Sequence, residues 1–369
     1  MRLLRNANAA LKEVWSHGGL PSANGRPALD FSTNLNPFGP PVSVLRALRQ
    51  GLPEIARYPD TDSLKLAEEL AKQYYRVEPT QIVIGNGVNE CIHAVARSRP
   101  PGVVAIVQPT YTEYHRACLN ASHQVEHWVA DGDDFQPSPF DPGRARMVWL
   151  CNPNNPTGRL WRLGQLLPWV ESHPGVDFIV DESFLALHPD HRRHSLIRYV
   201  KDHGNLIVLR SLTKLFTLPG LRLGYLVAQP DRAAALHSEQ PWWPIGVLSQ
   251  LAGVAALKDK AFVRKTRAWL KPERNLLLYK LDAFSDYLRP LLSETNFVLV
   301  RLQGISAEML SYQLLRHHIY VRLATNQFVG LEGEYIRLAV RTRKENEQLV
   351  RALQSILKSK APETQDEVQ

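Results

Sequence analysis

Ser211-Leu-Thr-Lys-Leu-Phe-Thr-Leu-Pro-Gly-Leu-Arg-Leu-Gly-Tyr225 sets Lys214 just behind the apolar run Leu206–Leu209. Two hydroxyls, Ser211 and Thr213, precede the lysine, and Arg222 follows eight residues after it. The apolar run reads as a buried strand, so the lysine stands at a strand end. Open α/β sheets bind ligands at that end of their strands. An uncharged lysine amine there suits a Schiff base to an aldehyde. Ser211, Thr213 and Arg222 can hold a phosphate dianion beside it. The stretch therefore points to an α/β sheet and to a phosphorylated aldehyde cofactor bound through Lys214.

The chain around this stretch repeats the same strand and helix alternation. Apolar runs predict strands at 82–84, 103–107, 147–151, 178–181, 206–210 and 223–228. Helical periodicity is found from Val42 to Leu48, from Leu64 to Tyr75, and near 88–98, 111–120, 163–172 and 246–258. Alternation of this kind argues for an α/β domain with a largely parallel sheet. From about residue 261 the pattern changes. A long amphipathic helix (262–285) leads into strands near 296–302, 319–323 and 335–340 and a last helix at 344–357. The expected organisation is an irregular N-terminal arm (1–45), a large cofactor-binding domain (46–260), a small C-terminal domain (261–358) and a polar tail (359–369). Gly18, Gly19, Pro21, Gly25, Pro27, Pro37, Gly39, Pro40 and Pro41 account for the irregular arm.

Other strand ends carry polar residues that fit the same cofactor. Phe178-Ile-Val-Asp181 ends a strand in a carboxylate, which is costly to bury without a partner. A protonated pyridine nitrogen is a suitable one, and Asp181 would keep it charged. A plain helix N-cap is the alternative use of an aspartate there. Cys151-Asn-Pro-Asn-Asn-Pro-Thr-Gly158 follows another strand, and the Asn155 amide can donate to a phenolate oxygen or a carboxylate. In Gly85-Asn-Gly-Val-Asn-Glu90 the turn opens a helix, where the backbone N–H groups of Gly87 and Val88 can complete a phosphate site. Tyr111, behind the 103–107 strand, is the candidate to stack on the pyridine face; Tyr114 reads equally well as a core aromatic. Arg322 and Arg337 each sit inside an apolar strand, where a bidentate anion is the natural partner. Arg341, nearer a strand end, also fits an internal salt bridge.

Composition narrows the function classes. The chain has 369 residues, 44% apolar and 22% charged, as in ordinary soluble proteins. No stretch approaches the roughly 20 apolar residues of a membrane span. Met1–Trp15 carries Arg2, Arg5 and Lys12 but no apolar core, which argues against a signal peptide. Cys91, Cys118 and Cys151 lack metal-ligand spacing and are too few for a disulfide framework, so a reducing cytoplasm is expected. The net charge of +8 comes from dispersed residues, which favours local anion sites over nucleic acid. His188, His191 and His194 lie beside Arg192 and Arg193, which argues for a solvated loop rather than a metal site.

Taken together, Asn155, Asp181, Lys214 and Arg222 resemble the fold-type-I pyridoxal-phosphate enzymes, the aspartate aminotransferase superfamily, from about residue 17 to 357. The resemblance implies that fold: a large domain with a mostly parallel mixed sheet flanked by helices, and a smaller α+β domain. It also implies pyridoxal 5'-phosphate as cofactor. Arg57-Tyr-Pro-Asp60 and the Arg322/Arg337 pair resemble the histidinol-phosphate aminotransferase branch. There the tyrosine matching Tyr58 reaches the cofactor phosphate of a partner subunit, which implies a homodimer with shared sites. His17-Gly18-Gly19, Asp30-Phe-Ser-Thr-Asn34-Leu-Asn-Pro-Phe-Gly, Phe184 in place of a usual tyrosine, and the Lys214 stretch are similar to the threonine-phosphate decarboxylases of cobalamin synthesis. That resemblance implies a small phosphorylated amino-acid substrate. Its phosphate would be held by His17, Gly18, Asn34 and Arg322, and its carboxylate end by Arg337 and Asn155. One departure is the short segment of ten residues, Leu20–Leu29, between the two arm motifs.

The reaction then depends on which Cα bond the site orients. Loss of the carboxylate gives (R)-1-amino-2-propanol phosphate from threonine phosphate. Loss of the Cα proton to Lys214 gives transamination. Anchoring by His17, Asn34 and Arg322 would make that choice. A regulator on the same fold would need an added DNA-binding module, for which the arm is expected to be too short.

Overall fold

The computed structural model describes residues 2–4, 29–130, 132, 135–136 and 141–358. Its strands are β1 (Arg2–Leu4), β2 (Leu29–Asp30), β3 (Ile82–Asn86), β4 (Val103–Gln108), β5 (Gln124–Val129), β6 (Met147–Cys151) and β7 (Asp177–Asp181). They continue with β8 (Leu206–Ser211), β9 (Leu223–Val227), β10 (Leu288–Pro290), β11 (Phe297–Leu302), β12 (Ile319–Tyr320), β13 (Arg322–Leu323) and β14 (Tyr335–Ala339). The large sheet has the order β1-β5-β4-β6-β7-β8-β9-β3. Strands β5, β4, β6, β7 and β8 are parallel neighbours, while β9 runs antiparallel to both β8 and β3.

Strands β6, β7 and β8 are buried throughout, because helices cover both faces of the sheet. Val148, Leu150, Phe178, Val180, Leu206 and Val208 join one apolar cluster, and Met147, Trp149, Ile179, Ile207 and Leu209 join the other. Each strand therefore alternates between two cores and shows no polar face. This is why its sequence reads as a continuous apolar run. Strand β5 escaped that pattern. Gln124-Val-Glu-His-Trp-Val129 breaks its apolar residues with Gln124, Glu126 and His127, and only Val125 and His127 are buried.

A second, antiparallel sheet has the order β10-β11-β14-β13. The run expected as one strand over 319–323 is two. Ile319–Tyr320 pairs in parallel with Leu29–Asp30, and Arg322–Leu323 pairs with β14. The expected irregular arm thus contributes a strand of its own at Leu29–Asp30, secured by Phe31 N–H donating to the Tyr320 carbonyl at 2.7 Å. Helix Ala307–Arg316 was not anticipated, although Ser306 caps it by accepting from Met309 N–H at 3.1 Å.

The histidine loop is exposed at Pro189, Asp190, Arg192 and Arg193, as expected of a solvated segment, but not throughout. His188 is buried, with Nε2 at 3.4 Å from Glu294, and burial holds His191 down to about 3. Among the described residues, no helix is long and apolar enough to cross a membrane.

Candidate active site

A cavity of about 370 Å³ opens where β4, β6, β7 and β8 end. It is lined by Gly87, Val88, Tyr111, Asn155, Asp181, Ser211, Thr213, Lys214 and Arg222, together with Asn34, Arg322 and Arg337. Strand order reverses between β4 and β6, and that switch point is where open α/β sheets hold their ligands. His17 and Gly18 lie outside the described residues. Tyr58 lies away from the cavity, 79% exposed, with its ring stacked 4.3 Å from that of Trp243.

Lys214 sits in the short helix Leu212–Phe216 that follows β8, with Nζ 5.6 Å from the centre of the buried Phe184 ring. Burial, then the charge of Arg337, lower its pKa to about 8, against the pull of Asp181. About a tenth of the amine is therefore uncharged at pH 7, the form that attacks an aldehyde. The loop from Asn36 fixes this helix: the Asn36 amide donates to the Leu215 carbonyl and to Thr266 Oγ1, both at 2.8 Å. Thr217 Oγ1 donates back to the Asn36 carbonyl at 2.7 Å. The sequence reading gave Asn36 no such role.

Asp181, at the end of β7, is buried and accepts from Ser183 N–H at 2.8 Å and from the Tyr114 hydroxyl at 2.7 Å. Burial raises its pKa and these hydrogen bonds oppose the rise. A cationic ring nitrogen brought beside it would oppose that rise further. Tyr114 was open between a core aromatic and a site residue, and its hydroxyl makes it both. Tyr111 lines the cavity, its hydroxyl donating to Asn89 Oδ1 at 3.2 Å, and burial pushes it up to about 12.

The expected phosphate end is compact. Gly87 caps the helix Val88–Arg97 at a φ of 80°, and a Cβ there would lie 2.5 Å from Arg222 Nη2. A Cβ on Gly224 would collide with the Val88 nitrogen. Only glycine at these positions lets the guanidinium and the helix N-terminus converge. Ser211 and Thr213 add their hydroxyls, Ser211 Oγ also accepting from Thr213 N–H at 3.2 Å.

Across the cavity the donors come from the second sheet. Arg322 and Arg337 are register partners on β13 and β14, and both line the cavity. Arg337 is buried, donates to the Ser32 carbonyl at 2.9 Å and to Asn155 Oδ1, and stands 5.4 Å from the Phe297 ring. Burial, then Arg322, lower it to about 9. Arg322 Nη2 donates to Gln327 Oε1 at 3.4 Å. Like charges opposite one another across a ladder are unfavourable, so the pair is suited to an anion. Beside it, Asn34 Oδ1 is buried and has no partner among the described residues. The Asp30 carboxylate shapes this strap by accepting from Ser32 N–H and Ser32 Oγ, both at 2.7 Å, and from Thr33 Oγ1 at 2.8 Å. Arg341 makes the internal pair open to it, 2.7 Å from Glu345.

The family model for aminotransferase class I and II matches residues 26–353. The chain belongs to that family. It is 36% identical to the threonine-phosphate decarboxylase of Salmonella typhimurium, over 90% of this chain and 92% of that one. It is 31% identical to the histidinol-phosphate aminotransferase of Moorella thermoacetica, over 89% of this chain and 85% of the relative. The solved structure of L-threonine-O-3-phosphate decarboxylase from Porphyromonas gingivalis superposes with a TM-score of 0.80 at 26% identity, covering 89% of this chain and 99% of that one. The fold is the aspartate-aminotransferase-like fold type I. The family cofactor is pyridoxal phosphate, and the residues fit it. Lys214 could meet the aldehyde and Asp181 the ring nitrogen; Ser211, Thr213, Arg222 and the Gly87–Val88 backbone could meet the phosphate, and Asn155 the ring oxygen.

Proposed function

We propose that this protein decarboxylates L-threonine O-3-phosphate to (R)-1-amino-2-propanol O-2-phosphate and CO2. The observation that carries the substrate class, a phosphorylated amine, is the Arg322–Arg337 pair, which adds two cations to a cavity that already has Arg222 for the cofactor phosphate. A phosphorylated amino acid brings two anions of its own, a phosphate and a carboxylate. The named relatives support the same substrate class. Phe184 beside Lys214 also supports it, being an apolar ring where the resembling aminotransferases carry a hydroxyl.

When bound, pyridoxal phosphate supplies the electron sink for a bond broken at Cα. In this reading Arg322 and Asn34, with His17 and Gly18, hold the substrate phosphate. Arg337, itself fixed by Asn155 and the Ser32 carbonyl, holds the carboxylate. The two anchors together set the rotation about Cα, so that the carboxylate bond is the one aligned for cleavage. Lys214, with a pKa near 8, can return a proton to Cα.

The exposed side chains Val42, Leu52, Ile55, Tyr58 and Trp242 support a homodimer, with Tyr58 directed to the site of the partner subunit. The histidinol-phosphate aminotransferase relatives make transamination the competing reading. Incubation with O-phosphothreonine and no keto acid separates the two. Release of CO2 is expected. No CO2, with turnover of histidinol phosphate plus 2-oxoglutarate, would establish the aminotransferase instead.

A further inference from the structure

We propose that Tyr114 is a positioning residue that holds Asp181 ionised and aimed at the ring nitrogen of the cofactor. The Tyr114 side chain is fully buried, and its hydroxyl donates to Asp181 Oδ2 at 2.7 Å while Ser183 N–H serves Oδ1 at 2.8 Å. Each carboxylate oxygen thus has a fixed donor, and the Ser183 side chain adds a further hydrogen bond to the carboxylate. The phenol is itself locked in place. It stacks on Trp149 with ring centres 5.5 Å apart and planes 22° from parallel. It meets Tyr111 edge-on at 5.7 Å and 85°.

Chemistry sets the direction of the effect. Burial pushes the Tyr114 hydroxyl well above its ordinary range, so it keeps its proton and acts as a donor. Burial also drives Asp181 toward its neutral acid, and a neutral acid cannot pair with a ring cation. The hydroxyl favours the carboxylate. It therefore acts on the ring nitrogen through Asp181 without touching the ring. Its contact with Tyr111 ties the group expected on the ring face to the group expected on the ring edge.

The proposal depends on pyridoxal phosphate and not on any particular substrate, so it stands or falls separately from the decarboxylase reading. Its test compares the binding of pyridoxamine 5'-phosphate with that of its 1-deaza analogue, in which a carbon replaces the ring nitrogen. Neither forms a bond to Lys214. The native protein should prefer the nitrogen-containing ring. Tyr114→Phe keeps the aromatic packing and removes the hydroxyl. It should cut that preference about tenfold, the size expected of a hydrogen bond to a charged group. In an Asp181→Asn background the same change should leave the preference unaltered, as a coupled pair requires. Trp149→Phe loosens the platform under the phenol and should lower the preference by a smaller factor, which gives the answer if Tyr114→Phe does not fold. Equal weakening of both ligands, no change in either, or an undiminished effect without the Asp181 carboxylate would each overturn the proposal.

Discussion

At the Lys214 end of the cavity, Asp181, Ser211, Arg222 and Gly87 all sit at or beside strand ends along one edge of one sheet. At the Arg337 end, the groups come from two strands of a different sheet and from the segment 29–34, which pairs with β12. The first region is assembled from turns that each adjoin a strand, so few relative positions have to be specified. The second exists only after three distant segments have paired. This difference teaches where chemical variety can enter. On the function proposed above, the cofactor end would serve any reaction at Cα, while the Arg337 end would decide what is held and which bond is turned toward cleavage.

The largest effect should come from the cofactor end. Lys214→Ala should lower turnover by about 1,000-fold or more, with loss of the absorbance band at roughly 410–430 nm that marks the lysine-bound cofactor. A persisting band would remove Lys214 from its role. At the other end, Arg337→Lys should raise the KM for O-phosphothreonine by about 100-fold, because a point charge cannot replace a buried fork held by Asn155 and Ser32. The cofactor spectrum should stay as it is; a lost spectrum would mean that the two ends are not separable. Arg322→Gln, at a half-buried position, should cost about tenfold in the same KM.

The smallest effect links the two ends. Covalent capture of pyridoxal phosphate needs the uncharged Lys214 amine, so its rate should rise through about pH 8 and then level off. Between pH 7 and 9 the gain should be roughly tenfold. The Arg337 cation disfavours a second positive charge on Lys214. Arg337→Met should therefore raise the lysine pKa and move the midpoint to higher pH, whereas Arg337→Lys should leave it in place. A stopped-flow pH profile with the same midpoint in all three proteins would break this link.

The legibility of the chain follows the same division. Strands β6, β7 and β8 were readable because burial on both faces forces unbroken apolar runs, and the polar residue that ends each run then stands out. The reading of 319–323 as one strand failed because hydrophobic pattern records burial and not partner. Val321 is buried on either reading, but Ile319–Tyr320 and Arg322–Leu323 join different sheets. His188 looked solvated because the glutamate that packs against it, Glu294, is more than a hundred residues away in the chain.

By itself the sequence determined the α/β sheet, the lysine, the carboxylate and the phosphate turn, and with them the family and its cofactor. Each of these is a local pattern, a strand and the turn behind it, so a few adjacent residues carry it. Only the tertiary structure decided that Arg322 faces Arg337, that Asp30 shapes the strap holding Asn34, and that the Tyr114 hydroxyl reaches Asp181. Those are pairings between distant segments. They are selected by the packing of whole sheets and helices against one another, for which no short stretch of sequence holds the record.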